Sequence, residues 1–196
     1  LFSYRKRKTE RILIDLANKK HWRYEKVSER LEAGYRFHGD NWVMEGLRVS
    51  SGSSSSTTHM RDYTRWFSAQ ASFSPGVFMI GPKQPDVNLG GISDVLKNTM
   101  LKLMIGDEAE DALSIEESLI GRMALRERYM MWTNQEEKAR ELLTPEIENA
   151  LIRYPGKIPP VVKINSKGVE IKLISQRLEK ADEIEGLVAI GEAFLL

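Results

Sequence analysis

Three features of the amino-acid sequence predict an α+β domain, an antiparallel sheet with helices packed mainly on one face. Aromatic and branched residues gather in short runs between turn signals from Trp42 to Pro82, the stretch expected at the centre of the sheet. A compact hairpin pattern follows at Val161–Leu173, and amphipathic segments of helical spacing stand at both ends of the chain. The 196 residues suffice for one full domain, and 41% hydrophobic with 29% charged residues is the balance of a folded chain. The expected organisation is a basic helical arm over 1–20 and one α+β domain over 21–196.

From Thr9 to Lys20, Ile12, Leu13, Leu16 and Ala17 recur at helical spacing, with Thr9 placed to cap the first turn. His21 to Lys26 alternates aromatic and polar residues, which predicts a short edge strand with Trp22 and Tyr24 on one face. Val27 to Ala33 is read as one or two helical turns ended by Gly34. Tyr35-Arg36-Phe37 is extended and Gly39-Asp40-Asn41 is a turn. Trp42–Val49, Met60–Phe73 and Val77–Ile80 then read as three strands of an antiparallel meander.

The polar run from Ser50 to Thr58 between the first two of these strands lacks both a GxxxxGK[ST] loop and a GxSxG elbow, so it is read as a mobile hairpin tip. Ile92, Val95, Leu96, Met100, Leu103 and Met104 trace a helix. Six acids and no base between 107 and 117 mark a solvated acidic loop without calcium-loop spacing, placed to pair with the basic arm. Arg126 to Thr133 alternates like a strand, and Thr133-Asn134-Gln135-Glu136 fits a capping box at the start of a helix. Thr144-Pro145 restarts it with Thr144 as cap. Val161–Ile164 and Val169–Leu173 form the hairpin around Asn165-Ser166-Lys167-Gly168, with Lys163, Glu170 and Lys172 towards solvent. Ile184, Leu187, Val188, Gly191, Phe194 and Leu195 mark a closing amphipathic helix.

Composition excludes several chemistries. There is no cysteine, which removes disulfides, thiolate nucleophiles and Cys-containing zinc sites, and fits a reducing compartment. The histidines His21, His38 and His59 fall in no metal-binding spacing. No catalytic set, cofactor motif or metal motif emerges, so the reading leans away from an enzyme. The net charge of +1 supplies no global field, and any basic patch is local.

That patch lies at the N-terminus. Leu1-Phe2-Ser3-Tyr4 passes directly into the cluster Arg5, Lys6, Arg7 and Lys8, the pattern of a cytoplasmic flank after a membrane span. Residues 1–26 carry nine basic residues against three acids. The expectation is a membrane anchor upstream of Leu1 in a single-pass arrangement, with the domain facing the cytoplasm and available to a protein partner or to self-association. Two other classes are carried. An enzyme acting on an anionic or phosphorylated substrate would use Arg65, Arg126 and Arg128 as anion contacts. Nucleic-acid binding through residues 5–26 is disfavoured by the acidic segment 107–117.

The order of elements resembles a group of prokaryotic proteins with an N-terminal hydrophobic segment and one soluble α+β domain of unassigned function. The matching residues are Leu16-Ala17 before Trp22-Arg23-Tyr24, then Thr64-Arg65-Trp66, and Ala139-Arg140-Glu141-Leu142-Leu143-Thr144-Pro145. Gly168-Val169-Glu170-Ile171 and Leu187-Val188-Ala189-Ile190-Gly191 complete the pattern. The resemblance implies a membrane-tethered domain and carries no site residues.

Overall fold

The computed structural model describes residues 2–51, 59–83 and 116–196. Over these the fold is α+β. Its elements are α1 (Phe2–Lys20), β1 (Arg23–Ser28), β2 (Glu32–His38), β3 (Val43–Ser51), β4 (His59–Ser68), β5 (Phe78–Pro82) and β6 (Glu116–Ser118), followed by α2 (Met123–Arg128), β7 (Tyr129–Thr133), α3 (Glu136–Leu142), α4 (Pro145–Arg153), β8 (Val161–Asn165), β9 (Gly168–Ile174) and α5 (Ala181–Ala193). The nine described strands form one sheet in the order β1-β2-β3-β4-β9-β8-β5-β7-β6. Every neighbouring pair is antiparallel.

The middle position belongs to β9, not to the Trp42–Pro82 stretch. Strands β3 and β4 do pair, from Val43 opposite Phe67 to Ser51 opposite His59. The expected meander stops there, because β4 takes β9 as its other neighbour while β5 pairs with β7 and β8. The real meander is β1-β2-β3-β4. Local turns join those four, whereas the β4–β9 seam joins residues more than a hundred positions apart, which no turn signal announces.

Strand alternation gives the sheet two unlike faces. The first carries Tyr35, Phe37, Met44, Trp66, Phe78, Ile80, Tyr129, Met131, Val162, Ile164, Val169, Ile171 and Leu173. All the described helices bury residues against it: Leu13, Leu16 and Ala17 from α1, Leu125 from α2, Ala139 from α3, Ile147 and Leu151 from α4, and Ile184, Leu187 and Val188 from α5. Each large aliphatic or aromatic side chain removed from water here contributes about 1.5–3 kcal/mol. Helix α5 comes so close that a Cβ on Gly191 would lie 2.3 Å from the Trp66 indole, so a side chain at that position would meet the ring. The second face holds a smaller cluster of Val77, Met79, Trp132 and Val161 with Met130 packed against it.

Several local expectations are corrected. Helix α1 starts at Phe2, so Thr9 lies inside it and caps nothing. Val27 to Ala33 is no helix: Val27 is paired in β1, Ala33 opposes Ser28 in β2, and a short turn joins them. The strand expected over 126–133 begins only at Tyr129, since Met123–Arg128 is a helical turn and a half that sends Leu125 into the core and ends where the backbone of Tyr129 becomes extended. The capping box at Thr133 does not form. Thr133 Oγ1 accepts from the Gln135 N–H and donates to the Val77 carbonyl, while Asn134 Oδ1 accepts from the Val77 N–H, so these groups tie β7 to the start of β5. Thr144 does cap α4, accepting from the Ile147 N–H at 3.4 Å.

In the β8–β9 hairpin Glu170 is only 8% exposed and does not face solvent freely. The expected helix over 92–104 and residues 107–115 of the acidic segment lie outside the described residues, as do residues 52–58 of the polar run. Glu116 and Glu117 belong to β6 at the sheet edge.

Candidate functional site

The basic cluster sits on the first two turns of α1. Between Arg7 and Ile12 no side chain is buried, and docking begins at Leu13. Beyond that point the helix is held to the body by Leu13, Leu16 and Ala17 and by Lys20 and Lys19, which reach Glu185 of α5 at 2.8 and 3.6 Å. Lys20, with Lys19 behind it, holds the Glu185 carboxyl below its usual range against a smaller opposing effect of burial. Glu10 joins α1 to β1 through Lys26 at 2.7 Å. The second half of the arm is therefore part of the domain. Among the described residues no helix is long and apolar enough to cross a membrane.

The three candidate anion contacts serve different elements. Arg65 lies on the second face of the sheet, with Nε 2.6 Å from Glu170 and NH1 3.9 Å from Glu45, and its guanidinium covers the Phe67 ring. Arg128 donates to the carbonyl oxygens of Ile152 and Tyr154 at the end of α4, the carbonyls that a helix C-terminus leaves unpaired. Arg126 is exposed on α2. No anion pocket is assembled from them.

What register builds instead is a cross-strand row of charge on the second face. Glu25 in β1, Arg36 in β2, Glu45 in β3, Arg65 in β4 and Lys172 in β9 are successive opposite partners. Arg36 contacts Glu45 at 3.1 Å, Glu25 at 3.4 Å and Glu32 at 3.7 Å. Glu170 receives Arg65, Lys172 at 2.8 Å and Lys163 at 3.6 Å. Burial pushes the Glu170 carboxyl up, but Lys172 together with the other two cations outweighs it and holds the group below the ordinary carboxylate value. The first four charges of the row alternate in sign, and opposite charges placed across strands stabilise the pairing, more so where partly shielded from water; Arg65 and Lys172 are like charges that both reach Glu170.

Beside this row, at the end of the sheet where β2 turns into β3, lies an open cleft of about 600 Å³. Arg23, His38, Val43 and Phe67, successive partners in register across β1 to β4, supply one wall. His21 joins them because it ends α1 in the left-handed conformation, φ 58°. The Trp22 N–H then donates to Ala17 O at 2.9 Å and the His21 N–H to Asn18 O at 3.4 Å, the double closure of a Schellman motif. The other wall is the turn Gly39–Trp42, held by packing. Trp42 contacts Trp22 edge-on at 5.2 Å between centroids and Trp66 at 6.1 Å, and its indole donates to Glu192 at 3.3 Å. A Cβ on Gly39 would meet that indole at 2.3 Å. The buried Ser68 hydroxyl fixes the turn by donating to Asn41 O at 2.7 Å.

His38 Nε2 lies 2.9 Å from Glu25, and this bond, more than any other influence, lowers the Glu25 pKa. The side chains of His21, Arg23 and Asp40 have no hydrogen-bond or ion-pair partner among the described residues. The sequence reading kept His21 and His38 apart as unrelated histidines. Only the register Arg23 opposite His38 and the turn at His21 bring them to one mouth, and a period-two alternation continued across a hairpin was the signal that pointed there. Among the described residues no group of three or more His, Asp or Glu is placed to hold a metal ion.

No protein-family model matches the chain and no curated protein matches it. Among solved structures, the crystal structure of the mycobacterial trehalose monomycolate transport factor A is similar to it at 10% identity and a TM-score of 0.42, covering 94% of this chain and 93% of that one.

Proposed function

We propose that this chain is an interaction or sensing domain held beside a cell membrane by a segment upstream of Leu1, with the domain on the cytoplasmic side. The observation that carries the reading is the division of α1. Its first turns carry the basic cluster, with Arg7 and Lys8 exposed, while the same continuous helix is locked into the core from Leu13 onward. A rigid helix of this kind transmits position and force between a surface and a folded domain. Each basic residue close to an anionic leaflet contributes about 1 kcal/mol, so four in succession give a useful electrostatic latch that weakens with salt.

The test is fractionation of the protein expressed from its full reading frame. It is expected in the membrane pellet after a high-salt wash, whereas residues 1–196 alone are released by salt. Replacing Arg5, Lys6, Arg7 and Lys8 by Gln should lower binding of residues 1–196 to phosphatidylserine vesicles on the order of a hundredfold or more. Full-frame protein that stays in the supernatant overturns the anchor, and vesicle binding unchanged by the four substitutions overturns the latch.

A further inference from the structure

The cleft at the β2–β3 end is lined by Arg23, which has no acid partner among the described residues. We propose that it binds a small anion, a carboxylate or phosphate carried on an apolar body, with Arg23 and His21 holding the charge and Val43 and Phe67 receiving the body. This inference is independent of the membrane reading.

The second face of the sheet carries most of its cations in ion pairs. There Arg36, Arg65, Lys163 and Lys172 each reach a carboxylate, from among Glu25, Glu32, Glu45 and Glu170. Arg23 and Arg61 lie on the same face and have no acid among the described residues, and of these two Arg23 lines the cleft. The direct partner of Arg23 across the strands is His38, a second potential cation. Like charges directly opposite one another destabilise a sheet unless an anion bridges them. The carboxylate nearest in register, Glu25, is already shared between His38 at 2.9 Å and Arg36 at 3.4 Å.

Size and chemistry agree with a small ligand. A volume of about 600 Å³ lies inside the range of roughly 300–1,000 Å³ usual for small-molecule sites. Val43 and Phe67, opposite partners in β3 and β4, are half-buried and form the apolar part of the same wall as Arg23. The opposite wall is held by Trp42 and Ser68, so binding need not order it. His21 occupies a left-handed position at which glycine is the usual residue, and the imidazole is thereby placed at the mouth. Asp40 also lines the mouth without a cation among the described residues, which favours the single charge of a carboxylate over a dianionic phosphate.

The experiment is titration calorimetry of residues 1–196 with phenylacetate, acetate, 2-phenylethanol and phenyl phosphate. Phenylacetate is expected to saturate one site and to bind about tenfold or more tightly than either acetate, which lacks the body, or 2-phenylethanol, which lacks the charge. Arg23→Gln should weaken phenylacetate about tenfold or more without lowering the melting temperature. Arg61→Gln, an exposed arginine of β4 outside the cleft, should leave binding intact. His21→Gly should raise the melting temperature and weaken binding together, a combination that a purely helix-ending role does not produce. Absence of saturable phenylacetate binding, equal affinity for 2-phenylethanol, or wild-type affinity in Arg23→Gln overturns the proposal. Tighter phenyl phosphate than phenylacetate overturns the preference assigned to Asp40, and unchanged binding in His21→Gly removes His21 from the site.

Discussion

The two faces of the sheet are made by the same strands and hold together by different physics. On the first, Trp66, Phe37, Phe78 and their neighbours are sealed beneath helices, and stability comes from apolar area and close packing. On the second, Glu25, Arg36, Glu45, Arg65 and Lys172 form a registered row, with Glu170 drawing in three cations beside it. A packed aromatic face tolerates little change in shape. A charge row tolerates shape changes and is sensitive to the loss of a single sign, and Arg23, without an acid among the described residues, lines the cleft beside it.

Three measurements test this contrast. The largest effect is expected at Trp66, fully buried between Trp42 and Gly191, where Trp66→Ala should cost about 3–5 kcal/mol in denaturant unfolding. A loss below about 1 kcal/mol would mean that the helices, not the sheet face, carry the core.

Next comes Glu170→Gln. Truncating the charge leaves Arg65, Lys163 and Lys172 facing one another. Because Arg65 and Lys172 are 39% and 42% exposed, the cost is discounted from the fully buried case to about 1–3 kcal/mol. The sign of its pH dependence follows from the lowered pKa. The folded-state value lies below the ordinary 4.5, so the contribution of Glu170 is present above that value and is lost as pH falls through the folded one. Acid unfolding curves should therefore show a shallower fall in stability for Glu170→Gln than for the wild type below about pH 4.5. Parallel curves would show that the row does not depend on this carboxylate.

The smallest effect belongs to Arg48 and Asp62, opposite each other in β3 and β4 at 2.7 Å but 45% and 29% exposed. A double-mutant cycle with Ala at both should give about 0.2–1 kcal/mol and shrink with added salt. A coupling as large as that of the more shielded Arg36–Glu45 pair would show that shielding is not what strengthens the second-face row.

Elements whose signal is local were legible in the chain. The Thr144-Pro145 start of α4 uses a hydroxyl and a ring that act within one turn, and the β8–β9 hairpin needs only a turn between two alternating runs. The helix pattern at Leu13, Leu16 and Ala17 was equally readable. Residues 126–133 misled because Arg126, Arg128, Met130 and Trp132 alternate like a strand although the first part packs as a helical turn around Leu125. Glu170 misled because a charged residue in a hairpin was assigned to solvent, and three cations brought from β4, β8 and β9 make its burial tolerable.

Local sequence patterns specify an α+β chain, set which segments are helix or strand over most of the described residues, and place a run of four basic residues on the first helix. Those properties follow from periodicity, capping and turn chemistry, which act over a few residues. Tertiary structure alone decided that β9 stands in the middle of the sheet, that five charges from five strands line up in one row, and that His21, Arg23 and His38 share a mouth. The first two depend on which distant surfaces bury together, information that no short stretch of the chain contains, while the third depends on register across the β1–β2 hairpin, which its short turn sets.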